Sequence, residues 1–531
     1  MHGTSLRENR EIHRLPVADG ATGRIGKAIG RTTVTHDLWK SDRLVVPANP
    51  SNNADAKAAE TVEGRSLAKG NTGEQNAPRT QSRIVGAPSA LDRVREAARR
   101  DRKQKFTALF HHITADLLCE AFRALHRKAS PGVDGVTWQQ YEENLEANLR
   151  DLHARLHRGA YRAKPSRRVY IPKADGRQRP LGIASLEDKV VQRAVVVVLN
   201  AIYEGEFLGF SYGFRPRRSQ HDALDALNVG LIRKKVSWLL DADICGFFDT
   251  IDHGWLMKFV EHRIGDERIL RLLRKWLAAG VMEHGSWSLS EQGTPQGATV
   301  SPLLANIYLH YVFDLWTQRW RTMPGRGETI AVRYADDFIV GFQRMSDAKL
   351  FLDELRTRLR RFALELHPEK TRLIRFGRFA RQQRAERNEA RPETFNFLGF
   401  THICGENSRG NFTLVRRTMR VRMTAKLHAV KTELLRRRHL PIPAQGKWLG
   451  QVVRGFFEYH AVPANGAALD AFRSQVKRHW KRALCRRSQR AHVSWPRMQK
   501  LGDRWLPRPR VRHPWPQDRF DAKTRGKSPV R

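Results

Sequence analysis

The chain has 531 residues, enough for several domains around a sizeable core, so it does not depend on disulfides to fold. Its 96 Lys and Arg against 54 Asp and Glu leave a net charge of +42, which points to a polyanionic partner, and 13 Trp, 24 Phe and 9 Tyr spread among the cations suit nucleic acid better than a membrane surface. Cys119, Cys245, Cys404 and Cys485 are too far apart for a local zinc knuckle, the most apolar run (194–199) is far short of the roughly 20 residues of a membrane span, and no apolar secretion signal opens the chain. No membrane partner and a cytoplasmic location, bacterial-type cytosol or nucleoid, are therefore expected.

Residues 1–82, rich in Gly, Ala, Asn, Thr and charge with no sustained apolar period, read as a basic disordered leader. Leu91, Val94, Ala97 and Ala98 then recur at helical spacing, and an apolar helix runs through Leu117, Leu118, Ala121, Phe122 and Leu125. A turn at 130–135 precedes a helix predicted over 138–156 with a Tyr141, Leu145, Leu149, Leu152, Leu156 stripe. Residues 169–183 read as two short strands joined by Asp175-Gly176, a basic hairpin suited to clamping phosphate, and a long helix follows over 187–203. Next come a β-prone run (236–244), a helix (251–263), a tight hairpin (330–342), an amphipathic helix (347–364) and a strand (371–376). The order βα, ββ, αβ is that of a split βαβ, ferredoxin-like arrangement, which sets the first strand beside the central hairpin in one antiparallel sheet. On the amphipathic helix Leu350, Phe351, Leu355, Leu359 and Phe362 form the predicted buried stripe. Arg416, Arg417 and Arg420 lead into a second amphipathic helix, with Leu427, Val430, Leu434 and Leu435 on one face and Lys426, Lys431, Arg436 and Arg437 on the other, suited to tracking a nucleic-acid backbone. The tail, 477–531, is again basic, with Trp480, Trp495, Trp505 and Trp515 interspersed.

The hairpin tip carries two adjacent acids, Asp336 and Asp337, between apolar strands that gain nothing from them. Asp is a common turn residue, but Asp243 ends the β-prone run predicted to lie beside this hairpin, so three carboxylates converge on one sheet edge, where repulsion is tolerable only around cations. Hard oxygen ligands suit two Mg²⁺ ions, with Mn²⁺ as a substitute, and such a pair serves nucleotidyl transfer. Asp241 shares a strand face with Asp243, so alternation alone leaves it a rival. Phe247 or Phe248, four or five residues on, can lie under the incoming sugar and exclude a 2′ hydroxyl, or simply be core.

From Ser89 onward the chain resembles the group II intron-encoded reverse transcriptase/maturases. The resemblance rests on ordered blocks: Arg179-Pro180-Leu181-Gly182-Ile183, Ser211-Tyr212-Gly213-Phe214-Arg215-Pro216, Asp243-Ile244-Cys245-Gly246-Phe247-Phe248-Asp249, Gly293-Thr294-Pro295-Gln296-Gly297 with Ser301-Pro302, Tyr334-Ala335-Asp336-Asp337, His367-Pro368-Glu369-Lys370-Thr371 and Phe397-Leu398-Gly399-Phe400. It implies an α+β fold: a right-hand polymerase with fingers and a ferredoxin-like palm, followed by an α-helical thumb/maturase domain. The divisions expected are 83–235 for the N-terminal block and fingers, 236–412 for the palm with the catalytic hairpin and primer-end segment, 413–476 for the thumb/maturase domain and 477–531 for a nucleic-acid-binding tail. Carried over by position, Asp243, Asp336 and Asp337 are catalytic and, with Ile244, hold the metals. Arg167 and Lys173 hold the triphosphate, Gln296 and Gly297 flank the nascent base pair, Phe248 or Phe247 discriminates sugars, and Lys370 has a functional or a structural role. The implied activity is RNA-directed DNA polymerisation from dNTPs on an RNA template with a DNA primer or target, joined to maturase action: binding the intron RNA, promoting its splicing and supporting retrohoming. An RNA-binding splicing cofactor with a secondary polymerase site, and a free-standing reverse transcriptase without a host intron, are the alternatives. The short tail with only Cys485 carries the expectation that the endonuclease domain of many relatives is lacking.

Overall fold

The computed structural model describes residues 90–172, 178–283, 286–288, 292–294, 297–389 and 391–524. The expected leader (1–82), Lys173 and Gln296 lie outside the described residues. The chain divides into two units, Met1–His36 and Asp37–Arg531, and every described residue belongs to the second.

The N-terminal elements are α1 (Ala90–Arg100) and α2 (Ala115–Arg123), the latter opened by the Thr114 hydroxyl accepting from the Leu117 amide. The single helix predicted over 138–156 is two, α3 (Trp138–Glu143) and α4 (Leu145–His157). A Thr137–Gln140 capping box starts α3, and Asn144, at φ −125° and ψ 39°, breaks the ladder between the two. Strands β1 (Ser166–Pro172) and β2 (Gln178–Ile183) pair antiparallel as predicted, with Arg167 opposite Ile183. Helix α5 (Leu186–Tyr203) is buried along most of its length; still, no helix among the described residues is long and apolar enough to cross a membrane. Helix α6 (Gln220–Arg233) starts from a Ser219–Asp222 capping box.

The central sheet begins with β3 (Trp238–Asp243), followed by α7 (Phe247–Thr250), α8 (His253–Glu261) and α9 (Glu267–Ala278). Strands β4 (Val281–Glu283) and β5 (Ser286–Ser288) extend the β1–β2 sheet in the order β2-β1-β4-β5. Helix α10 (Ser301–Leu309) passes through a π-helical turn at His310–Asp314 into α11 (Leu315–Arg321). The hairpin β6 (Thr329–Tyr334) and β7 (Asp337–Phe342), helix α12 (Met345–Arg361) and strand β8 (Arg372–Arg375) complete the unit. Its strand order, β6-β7-β3-β8 with every neighbour antiparallel, is the one expected from the βα, ββ, αβ succession. On α12, Phe351, Leu355 and Leu359 are fully buried and Phe362 beyond it nearly so. Leu350, assigned to the same stripe, is instead 40% exposed: one position before Phe351 it lies about 100° around the helix from the buried face.

Beyond α13 (Ala380–Ala385), strands β9 (Phe395–Phe397), β10 (Phe400–Glu406) and β11 (Phe412–Thr418) form a three-stranded sheet, followed by helices α14 (Arg420–Arg436), α15 (Ile442–His460), α16 (Gly466–Cys485), α17 (Trp495–Trp505) and α18 (Pro516–Thr524). The divisions placed at 412/413 and 476/477 fall inside β11 and α16. Two of the four tail tryptophans belong to the core. Trp480 is fully buried, its indole N–H donating to Gln445 Oε1 at 2.8 Å, and Trp505 lies over Gly446 and Gly450, where a Cβ would come within 2.5 and 2.7 Å of it. Trp495 and Trp515 remain exposed. Helix α18 returns to α6: Arg519 bonds Asp225, Lys523 bonds Asp222 at 2.6 Å, and Arg233 bonds Asp521 at 2.7 Å.

Three buried histidines make the stability of this fold depend on pH. Burial pushes His402, stacked on Phe395 at 4.7 Å, and His460, against Phe456 at 4.3 Å, down to about 3, and His310 down to about 4. Their folded values lie below the unfolded 6.5, so the folded state binds fewer protons; the stability they allow is full above pH 6.5 and drains as pH falls toward 3 to 4. Each costs up to about 1.4 kcal/mol per pH unit in that window. Asp241, raised by burial to about 6, acts in the opposite direction and offsets one of the three. The melting temperature is expected to fall on going from pH 7.5 to 5, less steeply in His402→Phe; a flat profile in the unmodified protein would contradict this.

Candidate active site

The three carboxylates singled out in the sequence lie at one end of the central sheet. Asp243, the last residue of β3, is directly opposite Asp337, the first of β7, while Tyr334 pairs with Asp337 and leaves Ala335 and Asp336 as the two-residue turn. Asp243 and Asp336 are nearly buried. Asp241, two residues into the strand, faces Ile339 and Arg372, and its carboxylate accepts from Arg372 at 3.1 Å. Strand pairing thus distinguishes the two aspartates that alternation could not.

The turn is held from beneath. Ala335 has φ +58°, a left-handed conformation costing a non-glycine residue about 1 kcal/mol, so surrounding contacts must fix it. Arg333, fully buried in β6, supplies them: Nε and Nη2 donate to Asp314 at 2.7 and 2.6 Å, Nη1 donates to the Ala335 carbonyl at 3.0 Å and to Asn306 Oδ1 at 3.1 Å, and Nη2 also donates to Ser211 Oγ at 2.7 Å. Asp314 closes the π turn, a local departure from α-helical winding that changes where its side chain is aimed. Asn306 in turn donates to the Gly213 carbonyl at 2.7 Å, and a Cβ on Gly213 would stand 2.3 Å from the Ala335 nitrogen. Residues 211–213 therefore run against the outer edge of β6, with the Tyr212 amide donating to the Arg333 carbonyl at 2.8 Å. None of this network was assigned from the sequence. The available signal was an Arg in an apolar strand and an Asp in an apolar helix, each needing a buried partner. Gly213→Ala is expected to push the Asp336 turn out of position and lower the turnover of any reaction carried by the carboxylate edge about 100-fold with the fold intact by circular dichroism; unchanged turnover would refute it.

On the other side of Asp243, the segment after α12 folds across the strand end. The His367 amide donates to the Asp243 carbonyl and the Cys245 amide to the Glu365 carbonyl, both at 2.8 Å, and Ile244 bridges to Leu366. Lys370 Nζ donates to Asp243 Oδ2 at 2.8 Å, so this residue meets the acid edge directly. Past Gly246 (φ +53°), Phe247 is core, packed on Tyr308, whereas Phe248 meets the ring of Phe214 edge-on at 6.4 Å. Phe214, also left-handed at φ +56°, is 45% exposed beside Gly213. The described residues on either side of 295–296 are held by close backbone contacts. The Thr294 amide donates to the Phe248 carbonyl, Gly293 sits where a Cβ would be 2.8 Å from that oxygen, and Gly297 (φ +110°) approaches the Gly182 carbonyl as closely. Gln296 itself lies outside the described residues.

The remaining assignments divide. Arg167 donates through Nε and Nη2 to the Pro131 carbonyl at 3.2 and 3.0 Å, tying β1 to the 130–135 turn, and Lys173 lies outside the described residues. Arg416, placed on the nucleic-acid face, is buried and ion-paired to Asp225 at 3.0 Å; alternation along β11 turns it inward and Arg417 outward. Arg437 lies over Trp448 and bonds Glu433 at 2.7 Å, so it serves the helix bundle. Arg417, Arg420, Lys431 and Arg436 are exposed and Lys426 is half-buried. Leu398 and Gly399, both at positive φ (45° and 83°), form the tight β9–β10 turn, and the Tyr459 hydroxyl donates to the Leu398 carbonyl at 2.6 Å.

Hard carboxylate oxygens on two paired strands are the donor chemistry of a divalent cation, and the Lys370 ammonium already meets one of them as a cation. The residues fit a metal by that chemistry, although among the described residues no three His, Cys, Asp or Glu side chains are gathered into a ligand cluster. Asp243 is here turned to Lys370.

Residues 171–402, which contain all of these elements from β2 to β9, match the family model described as reverse transcriptase (RNA-dependent DNA polymerase). The chain is 38% identical over 241 residues to Protein YkfC of Escherichia coli, covering 40% of this chain and 63% of that protein. It is 35% identical over 242 residues to the group II intron-encoded protein LtrA of Lactococcus lactis, covering 44% of this chain and 40% of that one, and 30% identical over 214 residues to the putative COX1/OXI3 intron 1 protein of Saccharomyces cerevisiae, covering 40% and 25%. These matches span less than two thirds of each relative's length. With the ordered blocks and the carboxylate edge lying inside the matched span, this part of the chain is similar to reverse transcriptases and to group II intron-encoded proteins.

Proposed function

We propose that the protein is an RNA-directed DNA polymerase encoded by a group II intron, which also binds that intron's RNA as a maturase and supports its splicing and retrohoming. The observation that carries this is the placement of Asp243, Asp336 and Asp337 at one end of the β6-β7-β3-β8 sheet. In this reading that sheet is a ferredoxin-like palm, β1 and β2 belong to the fingers, and the helices after β11 form the thumb. Asp243, Asp336 and Asp337, with the Ile244 carbonyl, would hold Mg²⁺ or Mn²⁺. Two such ions, when bound, lower the barrier by polarising the primer 3′ hydroxyl and stabilising the leaving pyrophosphate.

The chain's own residues do the rest. Lys370, released from Asp243, meets substrate phosphate. Phe248, braced by Phe214, lies under the sugar and excludes a 2′ hydroxyl, while Phe247 supports it from the core. The Gly293–Gly297 loop flanks the nascent base pair, and the Leu398-Gly399 turn supports the primer end. Arg417, Arg420, Lys426, Lys431 and Arg436 contact the nucleic-acid backbone, with the cytosol as the site of action. The test is dTTP incorporation on poly(rA)/oligo(dT) with Mg²⁺, with a DNA template in parallel. Incorporation on RNA is the expected result. A folded protein that binds RNA but incorporates nothing would instead be a splicing cofactor.

A further inference from the structure

Away from the carboxylate edge, a cavity of about 180 Å³ opens between the end of α4 and one face of α9. Its floor is apolar, formed by Leu156, Leu272 and the nearly inaccessible rings of Phe110 and Tyr161. Its walls are cationic. Arg268, Arg271 and Lys275 follow one another at spacings of three and four along α9 and so share a face, and Arg158 enters from the C-cap of α4. Two of the four cations are held in place by the floor: Arg268 lies 4.5 Å above the Phe110 ring, and Lys275 lies over Tyr161 and donates to its carbonyl.

Among the described residues no carboxylate lines the cavity. The neighbouring acids are engaged elsewhere: Asp266 accepts from the Leu109 and Phe110 amides, and Glu267 and Glu261 both bond Arg274 on the outer side of α9. Arg158 and Arg271 have no carboxylate partner among the described residues. Arg158, Arg268 and Arg271 are exposed and Lys275 half-buried, so solvent screens part of their mutual repulsion, and an anion seated among the four in the concavity relieves the rest. The volume suits a phosphate with part of its sugar, not a whole folded element.

We propose that this cavity is a second nucleic-acid contact, which seats a backbone phosphate of an RNA strand outside the polymerase site. The assignment to RNA rests on the function proposed above; the anionic chemistry does not. No residue of the central sheet lines the cavity, so a strand held here is gripped independently of catalysis.

The test measures binding of labelled oligo(A) RNA to the full chain by fluorescence anisotropy over a salt series. In Arg158→Ala/Arg271→Ala the slope of log affinity against log salt is expected to fall by about 0.7 for each phosphate contact removed, with affinity down about tenfold at physiological salt. Lys349→Ala/Arg360→Ala, which removes two exposed cations from α12, is the control. An equal fall in both double variants overturns the site in favour of diffuse charge. Melting temperatures in phosphate against chloride at matched ionic strength form a second arm: stabilisation by phosphate that the cavity variant loses, with its RNA slope unchanged, overturns RNA in favour of a free anion. Wild-type dTTP incorporation is read separately. An active polymerase whose salt slope ignores Arg158 and Arg271 refutes this site alone, whereas an inactive protein whose slope falls as stated refutes the polymerase and keeps the site.

Discussion

Asp336→Ala is expected to reduce primer extension by at least about 1,000-fold while leaving RNA affinity and melting temperature close to those of the unmodified protein. The carboxylate sits at the tip of the β6–β7 turn, and its removal takes nothing from the strand ladder or from the Arg333 contacts that shape the turn. Loss of activity therefore reports chemistry. The matched comparison is Asp241→Asn, on the same strand face as Asp243. Asp241 is paired with Arg372 and lies two residues in from the edge, so this change is expected to affect stability before activity. Steady-state primer extension with calorimetry on both variants checks the pair. An active Asp336→Ala, or an Asp241→Asn as dead as Asp336→Ala, would place the reacting edge elsewhere.

Arg333→Met has the largest expected effect on stability. It leaves Asp314, fully buried, without its bidentate partner, and it removes the donors to the Ala335 carbonyl, Asn306 and Ser211. Breaking a buried ion pair from one side costs about 3–5 kcal/mol, a large share of the roughly 5–15 kcal/mol that holds a domain together. Because most of that cost is the stranded carboxylate, Arg333→Met/Asp314→Leu is expected to recover much of the stability. Activity is not expected to return, since the Ala335 turn still lacks its support. Denaturant midpoints and primer extension on both variants decide this; a double variant as unstable as the single one would show that the stranded Asp314 carboxylate is not the main source of the loss.

The frame of this fold was legible because period and order carry it. Strand and helix runs alternating from 236 to 376 dictated the sheet order, and two acids between apolar strands marked its reactive end. What local pattern does not encode is partnership across the chain. Arg333 and Asp314 are 19 positions apart in different elements, and nothing in either run names the other. Arg416 looked like one more surface cation in a basic run, yet Asp225, 191 residues earlier, claims it. Leu350 belonged to the right helix and the wrong face, and Asn144 broke a helix whose apolar stripe continued on both sides. In the tail, composition suggested basic residues with aromatics for nucleic acid, but Trp480 and Trp505 bury against α15, which only a tertiary contact reveals.

The ion pairs between α18 and α6 bear on how the protein is made. Asp225 has two guanidinium partners, Arg416 and Arg519, and the second emerges from the ribosome 294 residues after it. Until then α6 presents Asp222 and Asp225 with Lys523 and Arg519 still unsynthesised. Vectorial synthesis thus closes this contact last: in a chain halted before residue 519 the buried Asp225 has Arg416 as its one guanidinium partner, and α6 has yet to receive α18.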